Sequence, residues 1–197
     1  MRKYIGLFVI LFLFIVTDAF GGPFGIDMGM SLDRLKQVCK TAPEHIENDY
    51  YKITPPNTHD LFETYIVQIN PTYGVYFIKA IGKYIRTNGY GVELRSTFDS
   101  LVGSIEKTYG KYELTDILKN NSYSGNPNVW TYDLRDGHRE LYATWARKYQ
   151  SRLPDDIAGI VVWAGVTSAI RGNMGYVVLE YVLSNETNVR ENADKVF

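Results

Sequence analysis

A single cysteine, three histidines and no surplus of basic residues set the first limits on this 197-residue chain. Cys39 alone can form no intrachain disulfide and cannot supply a cysteine-rich zinc site. His45, His59 and His138 show no H-x-x-x-H or H-E-x-x-H spacing. His138-Arg139-Glu140 lacks the P-C-x-x-C that a zinc deaminase needs beside its H-x-E. The 21 Lys+Arg against 22 Asp+Glu leave a net charge of −1, which argues against a dedicated nucleic-acid binder, since displacing counterions from phosphate takes a basic surface. No G-x-S-x-G elbow and no G-x-x-x-x-G-K-[ST] loop is present. Asn88-Gly89-Tyr90-Gly91 lacks the third glycine of a dinucleotide loop and reads as a strand-to-helix turn. No cofactor or metal is expected.

What is present begins with a leader. Arg2 and Lys3 precede a 12-residue apolar run from Ile5 to Val16. A bilayer-spanning helix needs about 20 such residues, so the run suits the core of a signal peptide better than a permanent anchor. Residues 1–19 are read as that peptide, with cleavage after Ala19, Gly21 or Gly22. No cysteine follows the run to take a lipid. Losing the leader removes two cations and one anion and leaves the balance acidic. Export places the protein in the periplasm or outside the cell. There a lone thiol is either buried or open to intermolecular pairing. Leu32, Leu35 and Val38 share one side of a short helix just before Cys39, so burial is expected.

The remaining chain, about 175 residues, suffices for one large or two small domains. A helix is expected from Ser31, which offers its hydroxyl as N-cap, with Asp33 in the first turn. Thr41-Ala42-Pro43 ends it. Tyr50 to Ile53, Leu61 to Ile69 and Tyr73 to Ile81 read as strands, the last two as a hairpin turning at Asn70-Pro71-Thr72. The strongest helix runs from Val92 to Tyr109. Leu94, Phe98, Leu101, Ile105 and Tyr109 form one apolar stripe, and Gly110 closes it. A short helix is expected at Glu113 to Leu118 and a loop at Lys119 to Asn128. Four strands follow: Val129 to Leu134, Leu141 to Lys148, Ile157 to Ala164 and Tyr176 to Leu183. Asp136-Gly137 reads as a tight turn between the first two. In the last, Val177, Leu179, Tyr181 and Leu183 share one face, while Tyr176, Val178 and Glu180 share the other. The polar tail, Ser184 to Lys195, is expected to fray.

The order helix, strands, helix, strands suggests a duplication. Leu61-Phe62-Glu63-Thr64-Tyr65 matches Leu141-Tyr142-Ala143-Thr144-Trp145 by residue class, and each is followed by a proline turn, at Pro71 and Pro154. The expected fold is α+β: two fused units over 24–86 and 87–184, each laying an amphipathic helix on an antiparallel sheet, then a tail over 185–197. The opening Phe24-Gly25-Ile26-Asp27-Met28-Gly29-Met30-Ser31-Leu32-Asp33-Arg34-Leu35 resembles the start of a unit in beta-lactamase-inhibitor-like proteins. It is also similar to that of small outer-membrane-assembly lipoproteins of the SmpA/OmlA type. In both, a Gly-Met-Ser/Thr turn caps a helix lying on an antiparallel sheet. The chain lacks the lipidated cysteine of the lipoproteins and the paired cysteines of the inhibitors, and no binding residue carries over. The resemblance implies an exported, non-enzymatic binding module.

Paired carboxylates for glycan cleavage would have to come from Glu140, Glu180 or Asp155-Asp156. Glu180 interrupts an apolar strand, which an open sheet face also explains, and Asp155-Asp156 reads as a hydrated turn after Pro154. The 16 tyrosines and the 14% of aromatic residues are the compositional excess. Tyrosine covers large contact areas at low entropic cost. Trp130, Tyr132, Tyr142 and Tyr176 are the candidate protein-binding residues on the sheet face away from the helices. The leading reading is an exported envelope protein that binds a protein partner as an inhibitor, immunity or assembly factor. The alternatives are an envelope hydrolase acting on glycan or peptide through Glu140 or Glu180 with a tyrosine partner, and a small-molecule binder.

Overall fold

The computed structural model describes residues 21–119, 126–167 and 173–194. The expected leader and most of the expected 119–128 loop lie outside them. The fold is α+β, with three helices packed against one face of a nine-stranded antiparallel sheet. Helix α1 (Leu32–Val38) starts as expected: the Ser31 hydroxyl accepts the Arg34 N–H at 3.2 Å. The chain continues through β1 (Thr41–Glu47), β2 (Tyr50–Thr54), β3 (Phe62–Asn70), β4 (Gly74–Gly82) and a two-residue β5 (Ile85–Arg86). After α2 (Val92–Tyr109) come β6 (Glu113–Leu118), α3 (Trp130–Arg135), β7 (Arg139–Ala146), β8 (Ile157–Thr167), β9 (Met174–Leu183) and α4 (Glu186–Asp194).

The sheet order is β1-β2-β3-β4-β9-β8-β7-β6, with β5 also pairing β9. From the central β4–β9 pair outward, each direction runs back through one half of the chain, from its last strand to its first. The halves meet in antiparallel pairing from Phe77 opposite Val182 to Ile81 opposite Val178, which makes one continuous sheet. The strand order therefore sets β3 against β8 and β2 against β7. Pro55-Pro56 before β3 answers Pro154 before β8. The five-residue match noted above joins β3 to β7, which hold different places in the two halves.

Register shows where the core lies. Ile53, Tyr65, Ala80, Leu179, Val162 and Ala143 are successive cross-strand partners, and all are buried. Side chains alternate between faces along a strand, so this row marks the covered face. Against it lie Leu35 of α1, Leu94, Phe98, Leu101, Val102 and Ile105 of α2, and Trp130 and Leu134 of α3, in one cluster.

Four expectations fail locally. Glu113 to Leu118 is a strand. Leu114, Ile117 and Leu118 have helical spacing, but the segment pairs along β7 from Glu113 opposite Thr144 to Leu118 opposite Arg139. Val129 to Leu134 is not a strand: the Asn126 side chain accepts the Asn128 N–H at 3.2 Å, Pro127 opens a short 3-10 turn, and α3 follows. Asp136-Gly137 closes that helix. The tail is a helix held by Asn185, whose amide donates to the Tyr73 and Val75 carbonyls at 2.8 and 3.0 Å. Strand β1 gave no signal because it is an edge strand with Pro43 and two register breaks, and it buries almost nothing. No helix among the described residues is long and apolar enough to cross a membrane.

Candidate functional site

Across the uncovered face runs a second row of partners: Thr64, Ile81, Val178, Trp163, Tyr142 and Thr115. No helix covers it. At its centre the rings of Trp163 and Tyr176 meet edge to face at 5.8 Å, and Tyr84 meets Tyr176 the same way at 6.2 Å. Lys79 of β4 lies beside them, its ammonium 3.0 Å from the Glu180 carboxylate of β9 and 5.7 Å from the Trp163 ring centre. Glu63, Thr167 and these groups line a hollow of about 450 Å³. On the other flank of Trp163 and Tyr176 is a smaller hollow of about 270 Å³, which includes Tyr142, Glu140, Arg135 and Arg139. The aromatic pair is thus a ridge between two concavities.

A glycine makes the ridge possible. Gly165 stands opposite Tyr176, and a Cβ there would come within 2.7 Å of the tyrosine Cζ. The bare backbone lets the ring lie down across β8. Gly165→Val is therefore expected to lift Tyr176 off the sheet. The near-UV circular dichroism of the Trp163–Tyr176 pair should collapse while the far-UV spectrum stays unchanged.

Two of the four expected site residues are on this face: Tyr142 and Tyr176, both half-buried. Trp130 and Tyr132 are not, because their segment is helical. Trp130 is only 4% exposed and belongs to the core, which corrects its assignment as a binding residue. Tyr132 is 38% exposed on α3, with the Arg135 guanidinium over its ring at 5.0 Å. Sequence reading missed Trp163 and Tyr84. Trp163 sits in an apolar run that looks buried on both sides. The usable signal was its parity with Gly159 and Gly165, since glycine has no side chain with which to fill a core face.

The acidic candidates are separated. Glu180 pairs with Lys79, and Glu140 with Lys119 at 2.7 Å. Tyr142, Trp163 and Val178 are level across β7, β8 and β9, so the two glutamates stand four residues apart along parallel strands and two strands apart laterally. That is roughly 16 Å by strand geometry, against the 5–10 Å or so that paired-carboxylate glycoside cleavage uses. Asp155 is exposed beside Arg147 at 3.3 Å.

Among the described residues, no three His, Cys, Asp or Glu side chains converge as a metal site would require. His45 contacts the Asn48 carbonyl at 2.8 Å, and His59 Nδ1 accepts the Leu61 N–H at 3.1 Å. Cys39 is half-buried at the C-terminal end of α1, and burial pushes its thiol pKa up, toward the unreactive form.

No protein-family model, curated protein or solved structure matches the chain.

Proposed function

We propose that this is an exported, non-enzymatic binding protein of the cell envelope that engages a protein partner through the open sheet face. The observation that carries the reading is the Trp163–Tyr176–Tyr84 ridge, built on the rigid centre of the sheet. Half-exposed aromatic side chains on a fixed scaffold supply contact area with little side-chain entropy left to lose. The Lys79–Glu180 pair beside the ridge adds charges that fix a partner's register. Flanking hollows give a partner's side chains somewhere to seat. Export rests on the Arg2-Lys3 start and the 12-residue apolar run that follows. An inhibitor, immunity or assembly role is in keeping with the resemblance of the Phe24–Leu35 opening.

The test is site-specific photocrosslinking in the cells that make the protein. A photoreactive side chain at Tyr84 or Tyr142 is expected to give a discrete protein adduct. The same group at Ser96, on the outer side of α2, is expected to give none. Equal adducts from all three positions, or none from the sheet face, would defeat the proposal. The larger hollow favours a second reading, a small molecule resting against Tyr84, Tyr176 and Trp163. That reading expects no protein adduct from either sheet position.

A further inference from the structure

The sheet ends in two edges that are built differently. At one end β1 carries Pro43 and two register breaks, features that discourage another strand from adding on. At the other end β6 has neither. It contains no proline and pairs with β7 in unbroken register, from Glu113 opposite Thr144 to Leu118 opposite Arg139. Among the described residues no strand lies on its outer side. Leu114 and Ile117 are 54% and 51% exposed, and Glu113 and Asp116 are exposed with them. The Lys119 N–H donates to the His138 carbonyl at 2.7 Å, which sets the phase of the ladder. Glu113, Thr115 and Ile117 share that phase and turn their backbone groups to β7, while Leu114, Asp116 and Leu118 turn theirs outward.

An even edge with outward backbone groups and exposed apolar side chains is a template for one more strand. The sequence of β6 says which strand fits. Two β6 strands can pair antiparallel about a two-fold axis through Asp116, which sets the outward residues of one copy against those of the other. Leu114 then meets Leu118 of the second copy, Thr115 meets Ile117, and Glu113 meets Lys119, each contact occurring twice. Moving the axis to Thr115 sets Leu114 against Asp116 and Lys111 against Lys119. Moving it to Ile117 sets Leu118 against Asp116 and leaves Lys119 against Thr115. The central Asp116 pair is the one like-charge contact in the favoured register, and each carboxylate is already held by Arg139 of its own chain. We propose that the protein forms a two-fold dimer in which β6 pairs antiparallel with β6 of a second copy, centred on Asp116. The two sheets then join edge to edge, with both aromatic ridges on the same side. This contact is independent of what the open face binds.

Sedimentation velocity over a concentration series tests this. One strand pair buries little area, so the protein is expected to pass reversibly from monomer to dimer as concentration rises. Leu114→Lys changes an exposed side chain and leaves the monomer folded, which circular dichroism checks. It sets a lysine against Leu118 twice in each dimer, and the dissociation constant should rise about tenfold or more. Glu113→Lys and Lys119→Glu each bring like charges together at both ends and should dissociate too. Mixed in equal amounts, those two variants should dimerise again, because each end then joins a lysine to a glutamate. A monomer at every concentration up to about 1 mM, or a dimer that Leu114→Lys leaves intact, would overturn the interface. A mixture of the two charge variants that stays monomeric would overturn the register.

Discussion

Trp130→Ala is expected to lower the unfolding free energy by about 3–5 kcal/mol, the range for emptying a large aromatic site in a packed interior. The side chain is 4% exposed and joins α3 to the common core. The cavity left behind cannot close easily. Gly91 has no side chain to advance into it, and Arg95 and Arg139 would lose the ring they lie against. Urea denaturation checks this: the midpoint should fall with the slope unchanged. Trp163→Ala, on the open face, is expected to cost far less and to act on binding. A reversed order of the two effects would place the core on the wrong side of the sheet.

The second large effect is at Gly74. Its φ is +67°, and a Cβ there would come within 2.1 Å of the Gly29 carbonyl oxygen. The obstacle is backbone that cannot move aside, because the Gly29 N–H donates to the Val75 carbonyl at 2.8 Å and the Val75 N–H to the Met30 carbonyl at 3.0 Å. Gly74→Ala should therefore cost on the order of 3 kcal/mol or more, combining left-handed strain with a clash that parts α1 from β4. Gly137→Ala is the control. Its φ is +73°, yet nothing lies within 4 Å of the added methyl, so only the strain remains, about 1 kcal/mol. If the two variants melt together, the clash is not felt.

Sequence reading succeeded where one side chain period ruled a segment. The α2 stripe and the alternation in β9 are set by burial on a single face, and both are legible without coordinates. It failed where long-range pairing or capping decided the outcome. Leu114, Ile117 and Leu118 suit a helix until β7 offers a ladder. Val129-Trp130-Thr131-Tyr132 suits a strand until Asn126 and Pro127 start a helix. That second error removed Trp130 and Tyr132 from the binding surface. The surface itself was half legible: Tyr142 and Tyr176 were in view, while Trp163 was hidden by the apolar residues around it, and Tyr84 sits at the turn into β5.

The seam between β4 and β9 has a consequence for biosynthesis. On the ribosome β4 is finished well before β9 exists, so its pairing edge must wait uncovered while the second half is translated. The rungs that will seal it are the same in every copy of the chain. Two nascent molecules close together can therefore trade halves, each lending its β9 to the other's β4 and reaching an interlocked dimer through the same native contacts.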